Sequence, residues 1–112
     1  MEPIHTVRGE ILVATPEGLE RCMEALKSEL CSASVCAHHK ALAWIASARG
    51  SCFTLASASI KQPLQLTPPL GPPTHSIRVV IRCTEPTEAI RLIEALMRAA
   101  ESCGAAFMIG DQ

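Results

Sequence analysis

Aromatic side chains are scarce in this chain: Trp44, Phe53 and Phe107 are its only rings beyond histidine, and there is no tyrosine. So few rings argue against a surface that holds nucleic acid mainly by stacking bases. An excess of positive charge is missing too. Seven arginines and three lysines meet eleven acidic residues, for a net charge of −1, which leaves no global basic field for a polyanion. No apolar run approaches the roughly 18 residues that a membrane helix needs, so no membrane association is expected. The glycines are scattered, and none forms a phosphate-binding loop. Paired carboxylates are absent from the strand ends. The acidic residues ride on helical segments among Arg and Lys, as in Glu24 with Lys27 and Glu94 with Arg98, which is the pattern of a solvated face. Met1–His5 has neither a basic start nor an apolar core, so a cytoplasmic protein is expected.

What is abundant is apolar and small. A hydrophobic share of 48% and a charged share of 19% over 112 residues describe one domain, 1–112, able to bury a core without a staple. It nonetheless carries six cysteines. In most cytosols these stay reduced and pack as small hydrophobes, whereas a hyperthermophile cytosol tolerates disulfides. Many pairings are open to six cysteines, and spacing does not choose among them.

Two segments share one grammar. The stretch from Val7 reads as a strand with Ile11–Ala14 as its apolar run; Thr15 is an N-cap, Pro16 suits the first helical position, and Leu19, Cys22, Met23, Leu26 and Leu30 make an apolar stripe. Later, Ile77, Val79, Ile81 and Cys83 alternate with Ser76, Arg78, Val80 and Arg82 in a half-buried strand. Thr84 or Glu85 caps, Pro86 opens the second helix, and Gly104 closes it. Its expected stripe is Ala89, Ile90, Ile93, Leu96, Met97 and Ala100, and residues 105–109 read as a last strand. The letters match as well: Arg21–Leu26 aligns with Arg91–Leu96. A repeated strand–helix unit predicts an α+β fold of ferredoxin-like type, a two-layer sandwich with two helices (near 16–31 and 86–103) on one face of an antiparallel sheet.

Between the units, residues 34–47 read as a hairpin turning at 38–40, with a short helix over 41–50 as the alternative; "SCFTLAS" alternates as a further strand. Residues 61–75 hold five prolines and form a Pro-rich loop, neither helix nor central strand.

Candidate chemistry concentrates in "CSASVCAHHK", residues 31–40. Zinc sites show close ligand pairs, twice; here the spacing is C-x-x-x-x-C-x-H-H, and the expectation is a polar turn with Cys36 packed inward and neither metal nor cofactor. The alternative is a small metal- or thiol-dependent enzyme using Cys36, His38 and His39. Arg78 and Arg82 share one strand face, opposite the buried alternation. They suit either phosphate contacts or a cross-strand pair with Glu10, and a direct RNA-binding protein is a further alternative.

With these elements in place, "VRGEILVATPEGLERCMEAL" and "IRVVIRCTEPTEAIRLIEALMRA" resemble the dimerising small subunit of the KEOPS complex, which makes threonylcarbamoyl-adenosine in tRNA. The resemblance covers about half of the chain. It implies a strand–helix–strand–strand–helix protein without catalytic residues: a homodimeric scaffold whose protein partner is the ATP-binding catalytic subunit of that tRNA-modification complex. Residues 48–76 would then be an insertion, and the strand after Gly104 an addition. "VVIRC…AIRLIEAL…AAESCG" is similar in part to the wybutosine-synthesis methyltransferase family. Few charged residues lie on the strands, and Trp44 is of a type enriched at interface centres. A two-fold dimer burying the middle strands is therefore expected, broken by charge at Ala43 or Ile45.

Overall fold

The computed structural model describes residues 4–31, 35–39, 44–61 and 74–110. Along the chain run β1 (His5–Val13), α1 (Pro16–Cys31), β2 (Val35–His39), β3 (Trp44–Arg49), β4 (Cys52–Lys61), β5 (Thr74–Cys83), α2 (Pro86–Ser102) and β6 (Ala106–Ile109). The fold is α+β. The six strands form one sheet in the order β2-β3-β4-β5-β1-β6, and every neighbouring pair is antiparallel.

Both helices begin as the sequence implies. The Thr15 hydroxyl accepts from the Gly18 amide at 3.0 Å, satisfying one of the free donors of α1. Pro86 opens α2, whose cap position Glu85 makes no side-chain capping bond. Gly104, at φ +70°, ends α2, and the Ala105 amide reaches back to the Ala100 carbonyl at 2.9 Å.

The helices cover one side of the sheet and pack on each other. Between the layers lie Ile11, Val13, Ile45, Ala56, Ile77, Val79 and Ile81 from the strands, with Leu26, Leu30, Leu92 and Leu96 from the helices. The stripe on α2 differs from the expected one. Ile90 and Met97 are exposed and Ile93 is half-buried, while Leu92, Ala95 and Ala99 face inward. The apolar arc of the helix, opposite the face of Glu88, Arg91, Glu94, Arg98 and Glu101, is wider than the core contact needs, so periodicity alone left its centre open. The side with four alanines, Ala89, Ala95, Ala99 and Ala100, packs inward, because small residues let a helix approach its neighbour closely.

Among the described residues, 35–39, 44–49 and 52–61 are strand, and no helix forms over 44–49. The turn expected at 38–40 is displaced, because β2 runs on through His39, which pairs with Trp44 at the start of β3. Gly50 caps no helix. It sits at φ +59° in the two-residue turn between β3 and β4, where Arg49 pairs with Cys52. Residues 62–73 of the Pro-rich loop lie outside the described residues.

All six cysteines are joined, as Cys22–Cys103, Cys31–Cys36 and Cys52–Cys83. The first ties the middle of α1 to the end of α2 across 81 residues, and the third links paired positions on β4 and β5. On the chain-entropy account, a link as long as the first stabilises by about 4–5 kcal/mol, and one as short as Cys31–Cys36 by about 2 kcal/mol.

Candidate binding face

Because side chains alternate along strands, the side opposite the helices is set by register. Phe53 of β4 lies beside Arg82 of β5 and, one strand on, Thr6 of β1. The next row is Leu55, Val80 and Arg8; the one after is Ser57, Arg78 and Glu10, with Met108 of β6 beyond. On the other flank, Ala48, Ala46 and Trp44 of β3 stand beside Phe53, Leu55 and Ser57. Phe53 is 49% exposed and Leu55 40%, although β4 is an interior strand. A bare phenylalanine and leucine on one strand face, flanked by alanines and Val80, form a contiguous apolar strip.

Arg78 and Arg82 are exposed on this side, where the alternation put them. The sequence reading missed Arg8, which joins them. It lies out of phase with the apolar residues of β1 and comes beside Val80 once β1 pairs with β5. The face thus carries three guanidiniums. Glu10, the partner considered for Arg78, is directly across from it, but only 6% exposed. Trp44 is half-buried at the margin, with its ring stacked on His39 at 5.9 Å between centroids.

Two expectations about the middle strands need correction. Ile45 cannot serve as a surface position for breaking a dimer: it faces the helices and is fully buried, one residue out of phase with Trp44 and Ala46. Ala43 lies outside the described residues. Cys36 is half-buried against the core and bonded to Cys31, so while that bond is closed it has no thiolate to offer as nucleophile or ligand. His39 is exposed on the opposite side of its strand, and the side chain of His38 lies outside the described residues. Among the described residues, no three His, Cys, Asp or Glu gather as a metal site.

A second feature is a cleft of about 370 Å³ on the helical side, with Cys52, Leu92 and Ala95 at its base. Arg49, Arg91 and Arg98 line it, against Glu29, Glu88 and Glu94, so its charges balance. Glu88 serves the fold. Its carboxylate accepts from the Ser51 hydroxyl at 2.5 Å and the Ser51 amide at 2.9 Å, fastening α2 to the β3–β4 turn. The Ser51 hydroxyl, then its amide, hold this carboxyl below its ordinary value of 4.5, with help from the charge of Arg91 and against some desolvation. A methyl group on Gly50 would come within 3.1 Å of both carboxylate oxygens, so the turn needs glycine for space as well as for φ.

Comparison with protein-family models, with curated proteins and with solved structures finds no match to this chain. Among the described residues, no helix is long and apolar enough to cross a membrane.

Proposed function

We propose that this chain is a non-catalytic binding module that works as a homodimer, with the open sheet face as its docking surface. The observation that carries the reading is the exposed Phe53–Leu55 strip on an interior strand. Full burial of such a side chain is worth about 1.5–3 kcal/mol, and with Phe53 49% and Leu55 40% exposed roughly half of that remains for a partner surface to recover at each. A two-fold axis near β4 sets the strip against its own copy, the commonest closed arrangement. Strands β4-β5-β1-β6 with the two helices follow a ferredoxin-like order, and the β2–β3 hairpin widens the sheet on the side where the strip lies. This supports the ferredoxin-like reading. On the likeness to the dimerising KEOPS small subunit, the chain would take a place as an accessory subunit beside the ATP-binding protein of that tRNA-modification complex, with the β2–β3 hairpin rather than residues 48–76 as its addition to the sheet. Three disulfides weigh against the cytoplasmic expectation in its ordinary form: they fit an oxidising compartment, or a hyperthermophile cytosol that keeps disulfides. Sedimentation at micromolar concentration tests the dimer, and Phe53→Glu tests the strip.

A second reading has its own support. Arg8, Arg78 and Arg82 frame Val80 and Phe53, so guanidiniums for phosphates stand beside a ring for one base. Titrating the purified chain with tRNA at several salt concentrations tests it. A direct contact through three arginines gives an affinity that falls steeply with salt, and Arg78→Ala/Arg82→Ala flattens that slope by roughly two.

A further inference from the structure

We propose that Cys31–Cys36 is a thiol–disulfide exchange site, opened by a dithiol reductant while the other two disulfides stay closed, and that its opening releases the edge strand β2. The three bonds differ in access. Cys22, Cys52 and Cys83 are buried, so each of the other two bonds has at least one sulfur shut away from an incoming thiolate. Cys31 and Cys36 are both half-exposed. Cys31 also borders a shallow, open recess shared with Glu24, Lys27 and Ser28, where the Lys27 ammonium offers a positive charge to an approaching thiolate.

They differ equally in what they hold. Cys22–Cys103 and Cys52–Cys83 clamp elements distant in sequence, with separations of 81 and 31 residues. Cys31–Cys36 spans five, so after reduction the two thiols remain neighbours and reclose easily. The bond joins the last residue of α1 to the second residue of β2. In the sheet β2 is an edge strand paired to β3 alone among the described strands, so beyond the short stretch of chain from Cys31 to Val35 the disulfide is the bond that holds it to α1.

The exchange balances without any further reactant. A thiolate of the dithiol attacks Cys31 Sγ, forms a mixed disulfide and expels Cys36 as a thiolate, which takes up a proton. The second thiol of the reductant then attacks its own sulfur in the mixed disulfide and expels Cys31. Two electrons and two protons pass to the protein, and the reductant leaves as its disulfide. An oxidised dithiol of the same class runs the steps backwards.

The test equilibrates the air-oxidised full chain in dithiothreitol buffers of graded poise, blocks free thiols with an alkylating agent and maps them by mass spectrometry, with amide hydrogen exchange in parallel. The expected result is an intermediate poise at which only Cys31 and Cys36 are alkylated. Exchange over residues 35–39 is then at least tenfold faster, while β4 and β5 are unchanged. Cys31→Ser/Cys36→Ser should fold and show the same fast exchange at every poise. Opening of all three pairs in one transition, opening of Cys31–Cys36 last, or air-oxidised protein in which this pair is free overturns the exchange site. Opening with no faster exchange in 35–39, in the wild type or the double variant, overturns the release of β2.

Discussion

On one side of β5, Ile77, Val79, Ile81 and Cys83 meet the two helices and none is more than 1% exposed; on the other, Arg78 and Arg82 stand in solvent around a half-buried Val80. Strand β4 repeats the division, with Cys52, Thr54 and Ala56 inward and Phe53 and Leu55 outward. The covered side is finished: both helices, Cys22–Cys103 and Cys52–Cys83 close over it, and Glu88 fastens α2 to the turn at Ser51. The open side has apolar surface that the fold itself leaves bare. The contrast separates residues that keep the chain folded from residues that give it something to hold.

Substitutions sharpen this contrast in order of size. Leu26→Ala or Leu96→Ala, each at a fully buried position under the helices, should cost about 2–5 kcal/mol of unfolding free energy in urea titration. Ile93→Ala, at a half-buried position, should cost less than either. Equal losses at all three would place Ile93 in the core. Gly50→Ala should come next, at about 1–3 kcal/mol, since it combines a left-handed φ with a close approach to the Glu88 carboxylate.

Acid should act on the covered side through the same carboxylate. The Glu88 pKa is lower in the folded chain than in the unfolded one, so its contribution to stability is fully present above the unfolded-state value near 4.5 and is lost as pH falls through the lower folded-state value. Melting temperature followed below pH 4.5 should therefore fall less steeply in Glu88→Gln than in the wild type. Parallel curves for the two proteins would remove the Glu88–Ser51 contact from the account.

Much of the covered side was legible because its signals are local. Thr15, Pro16 and Pro86 mark helix starts, Gly104 marks an end, and the alternation in 76–83 marks β5 and its inward face. The match of Arg21–Leu26 to Arg91–Leu96 even held the correct stripe of α2, since it sets Leu92 against buried Cys22 and Leu96 against buried Leu26. Helical periodicity over a helix whose apolar arc is wider than its core contact obscured it. The open side was less legible because its pattern arises between strands. Arg8 lies far in sequence from Phe53 and Leu55, and only the register of β4, β5 and β1 brings the three onto one surface. The β1 strand runs from His5, just before the stretch from Val7 that reads as strand, and Arg8 and Glu10 belong to its ladder although they lie outside the apolar run at Ile11. Cysteine pairing was illegible for the same reason. Cys52 and Cys83 become neighbours only through the pairing of β4 with β5.

The smallest expected effect on folding belongs to the residue with the largest expected effect on association. Phe53→Glu places a carboxylate beside Arg82 on an exposed strand face and should change unfolding free energy by no more than about 1 kcal/mol. Sedimentation velocity of the wild type and of Phe53→Glu at micromolar concentration therefore tests the open face most directly. The account predicts a wild-type particle of twice the 12.0 kDa chain mass, a monomeric Phe53→Glu, and the same far-ultraviolet circular dichroism for both. A wild-type monomer, or a dimer that survives Phe53→Glu intact, would contradict it.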